Sequence, residues 1–80
     1  MEHFSDWLTW QMTLQGIDTQ RAMWLWLDRH RVPMSESSLS KYCRGERKPS
    51  RQRLELIMDA LGTPPAQREH VRRLAAGVGR

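Results

Sequence analysis

Cysteine, strand-forming runs and long apolar stretches are nearly missing from these 80 residues. A lone cysteine, Cys43, cannot close an internal disulfide, so the chain has no covalent staple and suits a reducing compartment. No stretch approaches the ~20 apolar residues that a membrane span needs. No basic start followed by an apolar run and a small-residue cleavage site marks a secretory leader. These absences predict a cytoplasmic protein that makes no membrane contact. Period-two alternation and Val/Ile/Thr-rich runs bounded by turns are absent too, which excludes a sheet. The length leaves room for one small domain, residues 1–80, with little space for an enzyme-sized cleft and its scaffold. No glycine-rich phosphate loop follows a strand, and no nucleophile–base–acid set can be assembled. His3, His30 and His70 share no helical face and have no carboxylate at ligand spacing. An enzyme, a metal, a cofactor and a small-molecule substrate are therefore not expected.

Basic residues are scarce in the first third and crowded afterwards. Residues 1–28 carry one arginine against four acids, and residues 29–80 carry twelve Lys/Arg against five acids. Most of the second excess lies between Arg29 and Arg53, with eight basic residues against Glu36 and Glu46. A polarised basic segment is the electrostatic footprint of a polyanion ligand, although a merely solvated basic face has the same composition.

Apolar spacing predicts an all-α fold of five short helices, over 4–15, 19–30, 36–43, 51–61 and 64–76, with residues 77–80 frayed. Phe4, Trp7, Leu8, Trp10, Met12 and Leu14 cover more than half of the first wheel, and Gly16 stops it. Asp18 or Thr19 caps the second helix, whose Ala22-Met23-Trp24-Leu25-Trp26-Leu27 run is apolar all round. Such a helix is buried on all sides, which in so small a chain calls for a partner. Ser35 caps the third helix, with Met34 and Leu39 as a hydrophobic staple, and Gly45 stops it. Ser50 caps the fourth, whose stripe is Leu54, Ile57, Met58 and Leu61. Thr63 caps the fifth, with Pro64 at its first position and Val71, Leu74 and Ala75 inward.

The third helix carries the sharpest pattern. Leu39, Tyr42 and Cys43 make an inward face, so Cys43 reads as a small core residue rather than a nucleophile. Ser37, Ser40, Lys41 and Arg44 make the outward one. Idle surface helices favour Glu and Lys pairs. Small hydroxyls instead allow close approach to another surface, while Lys and Arg supply charge-assisted donors to phosphates and base edges.

Residues 34–62, MSESSLSKYCRGERKPSRQRLELIMDALG, resemble the second half of a lambda-repressor-like (Cro/CI-type, XRE) helix-turn-helix domain. That family has a Ser-x-x-Thr/Ser-apolar-Ser-x-Tyr recognition helix, then a Gly-x-x-x-Pro-Ser loop and an amphipathic helix ending in Leu-Gly. Gly16-Ile17-Asp18-Thr19-Gln20 resembles the family's lead into its second helix. The likeness implies a compact five-helix domain that binds double-stranded DNA, a cytoplasmic, nucleoid-associated repressor. It makes Glu36, Ser37 and Lys41 base readers, joined by Ser40 on the same stripe. Gln20, Ser38, Arg44, Arg47 and Lys48 become phosphate contacts, with Arg51 beside them. Glu36 keeps two readings, acceptor from a cytosine amino group or complement to the helix N-terminus. The chain departs from the family pattern in a segment from Gln20 to Ser35 that is about five residues longer, and in Val32-Pro33 where Leu-Gly is common.

Trp7, Trp10, Trp24 and Trp26 lie in the acidic third, which suits core or subunit interface better than stacking on bases. A homodimer through the first two helices would supply the second recognition helix that selectivity requires. The alternative is a protein-interaction adaptor or antitoxin that engages a second protein through that Trp-rich apolar surface.

Overall fold

A computed structural model describes residues 3–76 as five helices with no strand among them. They are α1 (Phe4–Gln15), α2 (Gln20–Arg29), α3 (Glu36–Cys43), α4 (Arg51–Leu61) and α5 (Pro65–Ala76). Residues 77–80, where fraying is expected, lie outside the described part.

Three of the helices start on a hydroxyl cap. The Thr19, Ser35 and Ser50 oxygens accept from the backbone N–H of Ala22, Ser38 and Arg53 at 3.0, 3.0 and 3.3 Å. Thr63 does not repeat the pattern. The fifth helix begins at Pro65 rather than Pro64, and the buried Thr63 hydroxyl has no hydrogen-bond partner. The reason lies at the end of α4, where Thr63 N–H donates to the Met58 carbonyl and draws the residue into the core. Its carbonyl is satisfied instead by Arg68 Nε at 3.0 Å.

The segment between α2 and α3 turns on Arg31. Arg31 N–H donates to the Asp28 carbonyl and Val32 N–H to the Leu27 carbonyl, at 3.1 and 2.9 Å. This double closure needs a left-handed residue, and Arg31 takes φ 62° where glycine is the usual occupant. Val32, at 2% exposure, then folds onto the core. The extra length therefore forms a tight reversal and a return strand of chain to Ser35. The Trp24 indole N–H donates to the Met34 carbonyl at 2.9 Å and ties that return to the flank of α2.

Phe4, Leu8, Met23, Leu27, Leu39, Tyr42, Leu54, Ile57, Met58 and Val71 form the fully buried centre. α3 packs against α1 and α2, and α5 packs against α4 and α1. Phe4 meets Tyr42 edge-on, with ring centroids 6.4 Å apart. Arg72 grips both oxygens of Glu55 at 2.7 and 2.8 Å, clamping α5 to α4. These bonds hold the Glu55 carboxyl below the usual glutamate range, against an opposing but smaller effect of burial.

The tryptophans do not form one surface. Trp7, expected at an interface, is 4% exposed and belongs to the core between Phe4 and the α5 side. Trp24 and Trp26 are half-buried, and Trp26 donates its N–H to the Ala60 carbonyl at 3.3 Å. The apolar run of α2 is thus not buried all round. Met23 and Leu27 point inward, the two indoles cover the flanks, and Ala22 and Leu25 face solvent. The reason is that an indole pairs a broad apolar ring with one N–H that can reach a carbonyl on a neighbouring element.

Candidate nucleic-acid interface

The geometry of α3 follows from its two faces. Leu39 and Tyr42 are 0% and 1% exposed and pin the helix to the core, while Ser37, Lys41 and Arg44 stand on the exposed side and Ser40 is half-buried. The half-buried Cys43 thiol is pushed up by burial and stays protonated, in keeping with a packing role. The Tyr42 hydroxyl reaches the edge of the core and accepts from Arg53 Nη1 at 3.0 Å, which locks α3 to α4.

At the end of α3 the chain turns at Gly45, with φ 75°. A Cβ added there would meet Ser5 Oγ at 3.3 Å, so the residue must also be small where α1 comes close. This approach frames a cleft of about 390 Å³ between His3, Phe4 and Ser5 on one side and Arg44, Gly45, Arg47 and Lys48 on the other. Arg44 is ion-paired with Glu46. Lys41, Arg47 and Lys48 are exposed and have no acidic partner among the described residues.

The other expected residues are distributed unevenly. Ser38 is half-buried, its hydroxyl accepting from Ser35 Oγ at 3.0 Å and its N–H donating to the same oxygen, so it belongs to the cap. Gln20 is exposed at the first position of α2. Glu36 lies at the first position of α3 and pairs with Arg21 across the two helices at 3.3 Å. Arg51 lies apart from the cleft, over a hollow lined by Pro49, Leu54, Arg72, Ala75 and Ala76. Its charge contributes to the lowered Glu55 carboxyl.

Two arginines that bond to α3 are among those with no assigned role in the sequence. Arg53 was counted in the basic segment, yet nothing in its spacing reveals the Tyr42 hydroxyl as its partner. Arg21 sits in the acidic third and meets Glu36 only because the chain doubles back after Arg31.

Elsewhere on α1, Trp10 and Leu14 are 48% and 59% exposed, one turn apart. Trp10 borders a hollow of about 300 Å³ shared with Trp7, Ala66, Gln67, His70 and Val71. Among the described residues no group of His, Cys, Asp or Glu could hold a metal ion, and no helix is long and apolar enough to cross a membrane.

A family model described as a helix-turn-helix domain matches residues 29–71, more than half of the chain. The match takes in α3, the basic loop, α4 and the first half of α5. No curated protein and no solved structure matches.

Proposed function

Because the chain belongs to the helix-turn-helix domain family, whose domains bind DNA, we propose that it is a sequence-specific regulator of transcription. It acts as a homodimeric repressor and reads the major groove of double-stranded DNA with α3. The observation that carries this reading is the outward stripe of α3. Ser37 and Lys41 stand away from the core beside the half-buried Ser40, and the cations Arg47 and Lys48, without acidic partners among the described residues, follow directly. A helix about 10–12 Å across fits a groove about 12 Å wide. Ser37, Ser40 and Lys41, with Glu36 at the helix start, face base edges in this arrangement. Gln20, Arg44, Arg47 and Lys48 meet the flanking phosphates, with Arg51 and Ser38 at the margin of that contact.

Pairing of two copies through Trp10 and Leu14 on α1 supplies the second α3. Two-fold related recognition helices then sit roughly 34–36 Å apart on one face of the duplex. Gel-shift titrations on matched and scrambled duplexes test the division of roles. Lys41→Ala is expected to relax sequence preference, whereas Arg47→Ala lowers affinity evenly and reduces the salt slope by about one. Identical profiles for the two variants would refute the reading.

The same exposed Trp10 and Leu14 favour a second reading, an adaptor or antitoxin that docks a different protein there. Analytical ultracentrifugation separates the two. A stable dimer that becomes monomeric in Trp10→Ala supports self-pairing, while a wild-type monomer favours the docking role.

A further inference from the structure

A carboxylate at the tip of a groove-entering helix is a liability, because the duplex backbone repels it. Glu36 occupies that place, and the chain provides for it. Arg21, fifteen residues earlier and second in α2, donates from Nη1 to Glu36 Oε1 at 3.3 Å. Among the described residues this is the ion pair that joins α2 to α3, and the Trp24 bond to the Met34 carbonyl ties the chain just before α3 to the middle of α2. Glu36 Oε2 has no partner among the described residues, and the Arg21 guanidinium keeps four of its five N–H donors unused.

We propose that Arg21 is a positioning residue that neutralises and orients Glu36, so that Glu36 selects cytosine at one position of each half-site. The inference rests on the DNA-binding reading above. With Arg21 on Oε1 and its remaining donors toward a phosphate, Oε2 accepts from the cytosine exocyclic amino group, the donor that a carboxylate matches in the major groove. A carboxylate that served only to complement the helix N-terminus would need no such partner, because the α3 N–H groups favour it unaided.

Selection from random duplexes with the full chain, followed by sequencing of the bound fraction, tests the assignment. The wild type is expected to enrich cytosine at one fixed position per half-site. Glu36→Gln should replace that cytosine by adenine, which glutamine matches, and leave the other positions unchanged. Arg21→Ala should weaken the cytosine preference roughly tenfold at that position alone, and Arg21→Lys should restore part of it. Adding Glu36→Gln to Arg21→Ala should recover affinity, since a neutral side chain needs no neutralising partner. A wild-type motif whose every base survives both single substitutions overturns this inference and leaves the DNA-binding reading standing. A wild type that enriches no motif overturns both.

Discussion

The Trp-rich helices α1 and α2 and the basic segment from Ser35 to Arg53 use their side chains in opposite ways. In the first region most of the aromatic surface is turned to internal use. Trp7 is buried, and the Trp24 and Trp26 indoles reach across to the carbonyls of Met34 and Ala60. In the second region Ser37, Lys41, Arg47 and Lys48 stay on the outside without internal ion pairs. The lesson is that apolar content overstates an interface when it comes from tryptophan. A ring that flanks the core and an N–H that bridges to another element are structural cement, and only Trp10 remains to offer a large face. The two regions are also coupled, because the Trp24 bridge fixes the segment from which α3 departs.

The comparison is sharpest within α3 itself, where inward and outward residues alternate. Leu39→Ala, at a fully buried site, is expected to cost about 2–5 kcal/mol and to unfold much of the protein in a thermal melt. Lys41→Ala, two residues later and exposed, should leave the melt within about 0.5 kcal/mol of wild type while altering DNA selectivity. Equal destabilisation by the two would break the division of faces.

Next in size is a contrast among the indoles. Trp24→Phe removes the bond to the Met34 carbonyl and should cost about 1 kcal/mol, a drop of roughly 4–8 °C in melting temperature. Trp7→Phe loses ring volume but also removes a buried N–H that has no partner, so the two effects offset and the change stays within about 0.5 kcal/mol. A larger loss at Trp7 than at Trp24 would reverse the view that the bridging N–H is what matters.

Arg31→Gly relieves a left-handed arginine and should raise stability by about 0.5–1 kcal/mol in chemical denaturation. A decrease would mean that the arginine side chain compensates for its backbone.

The smallest effect is in pH. Glu55 has a lowered carboxyl pKa in the folded chain, so the stabilisation from its Arg72 clamp is complete above the ordinary glutamate range. It is lost as pH falls through the lower folded value, because the unfolded chain takes up the proton first. Denaturation midpoints followed as pH falls through and below the ordinary glutamate range should therefore fall less steeply for Glu55→Gln than for wild type. Parallel slopes would remove the clamp from the account.

Helix identity was legible in the chain because it is written locally. The Thr19, Ser35 and Ser50 caps, the Gly45 stop and the 3.6-residue spacing of Leu54, Ile57, Met58 and Leu61 each act within a turn or two of sequence. The inward and outward faces of α3 follow from the same periodicity. Failures came where a residue had a competing partner. Thr63 reads as a cap until the end of α4 claims its N–H, and Trp7 reads as interface until Phe4 and α5 enclose it. The reversal at Arg31, the Arg53–Tyr42 lock and the Arg21–Glu36 pair carry no local signature. Each depends on where the chain returns after leaving a helix, and that return is set by burial of Val32 and the Trp24 bridge. The sequence by itself determined which segments are helical and where the positive charge gathers, since both follow from neighbours along the chain. Only the tertiary structure decided which tryptophan stays exposed and which arginine meets Glu36, because those outcomes rest on contacts between residues far apart in the chain.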